Sequence, residues 1–205
     1  PLIPVVADME DRGVCLDFDV CNNLHEKYHR IKDERQKQAD EAIAMYQNEI
    51  DNYKMKHPDN KLSDPISLSS PTQLAILFYD ILGLESPDKK APRGTGEDIL
   101  KHFAQGKEKN LCEAILGMRN VEKLLGTYID KMPEIALDDG RVHASYNQYG
   151  AKTGRFSSSD PNLQNIPSHN KEIRHMFKAQ DEYVLIGGDY SQQEPRLTAH
   201  CSNDE

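Results

Sequence analysis

The 205-residue sequence has no apolar run approaching the ~20 residues that cross a bilayer, so no membrane association is expected. Its start, Pro-Leu-Ile-Pro-Val-Val, has neither the basic stretch nor the long apolar core of a signal peptide. It lacks an initiator Met, and its end, "HCSNDE", runs straight out of a patterned segment, so a piece of a longer chain is expected. Cysteine is sparse: Cys15, Cys21, Cys112 and Cys201 are scattered, with no C-x-x-C pair and no histidine at a zinc-like spacing from them. That argues against a cysteine metal site or a disulfide framework and for reduced, partly buried thiols in an intracellular protein. No internal repeat is present. Positive charge is short too: 25 basic against 34 acidic residues give a net charge of −9, at first sight the wrong sign for binding phosphates. With 37% hydrophobic and 29% charged residues, the chain reads as a globular, helix-rich protein of one domain or two small ones.

What is there is unevenly placed. Between 141 and 178, six basic residues (Arg141, Lys152, Arg155, Lys171, Arg174, Lys178) meet two acids, Asp160 and Glu172, a local charge of +4 with three histidines besides. An acidic chain with a basic island is compatible with DNA bound on one face.

Helical periodicity fills the first half. Asp17 stands where it can cap a helix reaching about residue 56, with Leu24, Tyr28, Ile31, Ala42, Met45, Tyr46, Ile50 and Tyr53 at three- and four-residue steps. The polar middle, "IKDERQKQADE", reads as a solvated helix or antiparallel arm, and "HPDNKLSDP" breaks the pattern. "SSPTQLAILFYDILGL" predicts a compact helix capped by Ser70, with Pro71 at its first position and Gly83 as its stop. Thr95 is expected to cap a short helix over 96–105. A longer one follows over 108–132, with Leu111, Ala114, Ile115, Met118, Val121, Leu125, Tyr128 and Met132 on one stripe. From about 133 the character changes. "RVHASYNQYG" alternates as a strand does, "FSSSDPNLQNIP" is loop-like, "YVLIGGD" has the composition of a buried strand, and Pro195 opens a helix through about 205. The fold class expected is α+β, a mostly helical part joined near 133–140 to a part with a small β-sheet, which the extreme N-terminus rejoins.

Two stretches carry chemistry. "LIGGDYSQQEPRLTAH" ends an apolar run on Asp189, and a carboxylate at the end of a rigid strand is a common way to hold a divalent cation. Asp189 reads equally well as a helix cap. "TGRFSSSDPNLQNIP" (153–167) crowds Arg155, Asn162, Gln164 and Asn165 into irregular backbone. Every base pair presents N3 or O2 acceptors in the minor groove, so such donors can sense pair geometry without reading sequence. The same side chains can instead satisfy their own turns, and chemistry alone favours that reading.

Taken together, "TGRFSSSDPNLQNIP" and "DYSQQEPRLTAH" resemble the DNA polymerase I family, family A, the latter being that family's motif A. "GVCLD", "LSSPTQL", "EKLLGTYIDKMP" and "GRVHASYNQ" extend the resemblance along essentially the whole chain. Gln193 and Pro195, where cellular members carry aliphatic residues, are similar to the phage branch. The resemblance implies a helical thumb over 17–135, a partial palm with a small sheet over 136–205, and an N-terminal segment, 1–16, that rejoins the palm. It implies that Asp189 and the Tyr190 carbonyl hold a metal, Mg2+, and that Glu194 is the steric gate beneath the sugar. Gln192 and Arg196 then sit near the primer end, Arg155 at the minor groove of the primer terminus, and Asn162, Gln164 and Asn165 against the duplex. Implied partners are primer-template DNA, deoxynucleoside triphosphates and a further C-terminal palm and fingers segment, in the host cytoplasm if phage-encoded. The second metal aspartate and the Lys- and Tyr-bearing nucleotide helix of the family lie outside these residues, and no 3′–5′ exonuclease carboxylate set is evident. The chain alone is therefore expected to be inactive. A stand-alone, non-catalytic DNA-binding module is the alternative. A single-subunit RNA polymerase shares palm geometry, but its motif A lacks a gate glutamate, so Glu194 counts against it.

Overall fold

The computed structural model describes residues 2–202. Helix α1 (Leu2–Arg12) turns at Gly13 into strand β1 (Val14–Leu16). Gly13 has φ +59, and a Cβ there would come within 2.9 Å of the His143 ring and the Val142 carbonyl, so only glycine fits. Asp17 caps α2 (Phe18–Ala44) as expected, accepting from the Val20 amide at 3.2 Å. The long helix expected to reach residue 56 is broken. Tyr46, at φ −111 and ψ 14, leaves the helical region, and α3 (Gln47–Lys56) starts beyond it. The apolar periodicity survives the break because Ala42 and Ile50 enter the same core.

Ser70 and Pro71 open α4 (Pro71–Ala75), the Ser70 hydroxyl accepting from the Gln73 amide. The rest of that run, Ile76–Ile81, winds as a π-helix, with the Leu82 amide reaching back to the Leu77 carbonyl at 2.9 Å. Helix α5 (Glu97–Phe103) starts after Gly96 rather than Thr95. Thr95 is buried instead, and its carbonyl accepts from Arg119 at 2.6 Å. The predicted stripe over 108–132 divides into α6 (Lys109–Leu124), a π-turn (Leu125–Ile129) and α7 (Lys131–Ile135).

Apolar side chains gather into two clusters. The first joins the end of α2, α3, α4 with the π-helix after it, α5 and the first half of α6 through Ala39, Ile50, Leu74, Leu77, Phe78, Leu100 and Ile115. The second joins the start of α2, the end of α6 and the π-turn after it to the strands and the segment before β5 through Leu16, Leu24, Tyr28, Val121, Leu124, Ile129, Val142, Ile173 and Met176. Helices α2 and α6 run through both, so they tie the clusters into one body. Ala39, Ala42 and Ala114 are small where they are buried in the first cluster. Gly117 of α6 faces the Arg35 side chain, which a Cβ there would meet at 3.3 Å. The polar middle of α2 is a solvated helix with one narrow side turned to α6.

The strands are short. In one sheet β1 lies between β2 (Arg141–Val142) and β5 (Phe177–Lys178), both antiparallel, with Val14 opposite Val142 and Cys15 opposite Lys178. A second, two-stranded sheet pairs β3 (Ser145–Asn147) with β4 (Ser157–Ser159). "RVHASYNQYG" is thus two strands in different sheets. Between them the His143 ring contacts the Glu10 carbonyl at 2.8 Å and Asp139 at 3.2 Å, while Ala144 is buried. "FSSSDPNLQNIP" holds β4 and a 3₁₀ turn (Leu163–Asn165) rather than loop alone, and α8 (Lys171–Arg174) precedes β5. Helix α9 (Gln193–Ser202) closes the described chain; the three residues beyond it, to which the predicted helix extended, lie outside the described residues.

One expectation fails outright. "YVLIGGD" forms no strand and is not buried: Tyr183, Val184, Leu185 and Ile186 are 69–91% exposed. A strand needs a neighbour for its amides and carbonyls, and no described segment pairs with 183–189. The whole is a mostly helical α+β fold with one three-stranded and one two-stranded antiparallel sheet. No described helix is long and apolar enough to cross a membrane.

Candidate nucleic-acid interface

Segment 153–167 is fastened from beneath. Gly154, at φ +76, turns the chain ahead of Arg155, and β4 then pairs Ser158 with Tyr146. Ser158 is 4% exposed; its hydroxyl donates to the Pro161 carbonyl at 3.1 Å and accepts from the Leu163 amide at 3.3 Å. The Asn162 side chain accepts from the Gln164 amide at 3.0 Å and so caps the turn Leu163–Asn165. Leu163 and Ile166 pack on the second apolar cluster, and the buried Tyr128 hydroxyl donates to the Asn165 carbonyl. With alternate residues anchored, the side chains of Asn162, Gln164 and Asn165 face solvent. Asn162 commits its oxygen to the turn, as the turn reading expects, while the side chains of Gln164 and Asn165 are exposed and make no bond within that turn.

Segment 189–196 is placed differently from expectation. Asp189 and Tyr190 are exposed at the end of an unpaired stretch, not of a strand. Asp189 is four positions before α9, so it is not that helix's cap. Gln192 has φ +51, and Glu194, Pro195 and Arg196 form the first turn of α9. A proline costs nothing there, since amides in the first turn have no intrahelical acceptor. A residue before proline is biased toward extended backbone, but Glu194 is helical. The bond from the Arg196 amide to the Gln192 carbonyl, 3.0 Å, closes a helical turn across both residues and overrides that local bias.

The two segments meet in one contact, an ion pair in which Arg155 donates to Glu194. Both side chains are about seven-tenths exposed, at 69% and 73%. Arg196 lines a pocket of ≈ 290 Å³ with Tyr190, Ser191, Gln193 and Leu197. Gln164 lines another, ≈ 410 Å³, whose wall includes Leu163, Arg174 and Leu185, so the unpaired apolar run borders the amide ledge. Among the described residues, Asp189, Gln192 and Arg196 make no side-chain hydrogen bond to Arg155 or to the amides of 162–165. Of the basic island, Arg141, Arg155 and Lys178 face carboxylates, while Lys152, Lys171 and Arg174 are exposed on the surface.

The sequence profile of DNA polymerase family A matches residues 32–205. The chain belongs to DNA polymerase family A. Within that family it is 35% identical over 211 residues to DNA polymerase I of Pseudomonas aeruginosa, covering 100% of this chain and 21% of that protein. It is also 35% identical to the thermostable DNA polymerase I of Thermus aquaticus, covering 100% of this chain and 23% of that one. The chain therefore spans about a fifth of the length of the curated family A relatives it matches. A solved structure, the POL domain of Pol1 from M. smegmatis in complex with DNA primer-template and dNTP, superposes with a TM-score of 0.75 at 28% identity. It covers 97% of this chain and 32% of that one.

Two places bear on metal binding, one expected from the sequence and one found in the structure. Magnesium takes oxygen ligands, one or two carboxylates with substrate phosphates and water. Asp189, the expected ligand, is exposed and belongs to no cluster of three or more His, Cys, Asp or Glu donors among the described residues. The second place escaped the sequence reading: His25, His29 and Asp130 bring their donor atoms within 4.8 Å of one another. Two imidazole nitrogens and one carboxylate suit zinc-like ions, not magnesium. The four-residue spacing of the histidines was the available signal, but nothing local announced an aspartate about a hundred residues further on. The four cysteines are free; burial pushes the Cys21 thiol up to about 11 and the Cys112 thiol up to about 12, which keeps both unreactive.

Proposed function

We propose that this chain is the thumb and first palm portion of a DNA-directed DNA polymerase that extends a primer 3′-hydroxyl under template direction. The observation that carries this reading is the ion pair between Arg155 and Glu194, which joins the two motif segments across 39 residues of chain. The family match supports the same reading, as does the similar structure solved in complex with primer-template and dNTP. The subdomain division follows as 1–16, 17–135 and 136–205, supported by the pairing of β1 with β2 and β5. The phage assignment rests on Gln193 and Pro195 alone.

In this reading Gln164, Asn165 and the Asn162 amide nitrogen track the minor-groove edge of the duplex, with Lys152, Lys171 and Arg174 near phosphates. Arg155 reaches the primer terminus after leaving Glu194. Exposed ion pairs contribute about 0–1 kcal/mol, so that exchange is cheap. Asp189 and the Tyr190 carbonyl would hold magnesium as part of a two-metal site, in which one ion would activate the 3′-hydroxyl and the other would hold the triphosphate. Glu194 lies beneath the incoming sugar and excludes a 2′-hydroxyl, while Gln192 and Arg196 border the primer end. Partners are primer-template DNA, deoxynucleoside triphosphates and a C-terminal palm and fingers segment that supplies the second carboxylate. The unpaired run 183–186 suits strand pairing with that segment. The setting is intracellular.

The test uses the chain extended by the rest of the palm and fingers. Asp189→Ala should lower single-turnover incorporation by ~10³-fold or more with primer-template affinity retained. An affinity that collapses at an unchanged rate constant removes the role given to Asp189. Failure of even the unsubstituted extended chain to incorporate, with duplex binding intact, favours the non-catalytic module.

A further inference from the structure

We propose that His25, His29 and Asp130 form a binding site for one zinc-like divalent ion, which clamps the start of α2 to the junction between the second π-turn and α7. The proposal is independent of the polymerase reading, because the three side chains lie on elements that do not include 153–167 or 189–196.

The residues converge for reasons visible in the backbone. Positions four apart share one helix face, so His25 and His29 project together from α2, their ring centroids 4.2 Å apart. Opposite them, the Asp130 amide donates to the Leu125 carbonyl at 3.0 Å, the five-residue step of a π-turn. That extra residue rotates the positions beyond it by about 100° relative to an unbroken α-helix, and Asp130 is the first of them. One carboxylate thereby meets both rings, with His25 Nδ1 2.8 Å from Asp130 Oδ1 and His29 Nε2 3.1 Å from Oδ2.

The spacing is close to what an ion demands. Zinc bonds of ~2.0–2.1 Å in a tetrahedron put neighbouring donor atoms roughly 3.3–3.4 Å apart. With Asp130 Oδ1 as the ligand, His29 Nε2 already stands at 3.4 Å, His25 Nδ1 at 2.8 Å needs to open by roughly half an ångström, and the imidazole pair, within 4.8 Å, needs to close. At 55%, 41% and 37% exposed, the side chains stand at the surface, so an ion has an entry path and water for its fourth position. The flanking residues Leu24, Tyr28, Ile129 and Met132 all belong to the second apolar cluster. An ion bound here therefore pins a contact the core already makes, which suits a structural ion more than a reactive one.

The experiment uses the 205-residue chain without a polyhistidine tag, stripped with chelator and titrated with zinc by calorimetry and thermal unfolding. One equivalent should bind, and at zinc a hundredfold above Kd the unfolding midpoint should rise by about 5–10 °C. Magnesium should produce no rise. Cobalt, as a spectroscopic stand-in, should give the intense visible absorption of a four-coordinate site. His25→Gln and His29→Gln should each abolish the zinc-induced rise, whatever they do to the metal-free midpoint, and Cys201→Ser should leave it intact. Absence of zinc binding overturns the proposal, as does a rise that persists in both histidine variants.

Discussion

Replacing Tyr128 by Phe removes one hydroxyl and nothing else, which makes it a sharp probe of how the amide ledge is held. The ring is 3% exposed in the second apolar cluster, and its packing is preserved in the variant. Burial raises the tyrosine pKa, the mark of a hydroxyl cut off from water. What is lost is the bond to the Asn165 carbonyl, which ties the 3₁₀ turn to the helical body across 37 residues. A hydrogen bond of this kind contributes about 0.5–1.5 kcal/mol net. In a chain of this size each kcal/mol moves the melting midpoint by about 2–4 °C, so Tyr128→Phe should lower it by about 1–6 °C. The loss is local, so amides at 163–166 should exchange about fivefold faster for each kcal/mol, while those of α5 keep their protection. Hydrogen exchange read by mass spectrometry or NMR, beside a melting curve, gives both numbers. An unmoved midpoint together with unmoved exchange at 163–166 would mean that the bond holds nothing. A lowered midpoint with exchange spread evenly over the chain would refute the local anchoring.

Stability should also depend on His143. Its pKa is raised above 6.5, chiefly because the ring donates to the Glu10 carbonyl, with Asp139 adding to the effect. The protonated ring is therefore the stabilising form. Its contribution is complete below pH 6.5 and fades as pH rises through the raised value. The difference in melting midpoint between the parent and His143→Gln should shrink across that interval, and a difference that does not vary with pH would contradict it. Sugar selection supplies the sharpest functional check. In the extended enzyme, Glu194→Ala should raise the ratio of kcat/KM for ribo- over deoxyribonucleotides, since an unpaired, desolvated 2′-hydroxyl costs on the order of 1–3 kcal/mol, about 5- to 150-fold. A ratio left unmoved would locate discrimination elsewhere.

What the sequence determined by itself was local. The caps at Asp17 and Ser70, Pro71 at a first helical position, and the apolar stripe of α6 were legible because cap and amide lie within three residues and helical periodicity is written along one element. The family, too, was legible, since two dense motifs survive as strings whatever surrounds them. Tertiary structure decided the rest. Apolar composition announced a need for burial at 183–186 but could not provide a neighbour, and without one the run stays exposed. One alternating stretch became two strands because β1 and β4 claim different ends of it. Glu194 turned helical and paired with Arg155 instead of lying extended, and His25 and His29 found Asp130 more than a hundred residues away. Hydrogen bonds and ion pairs act over a few ångströms in space. A linear pattern reveals them only where the chain itself keeps both partners close, and at the candidate sites of this protein it does not.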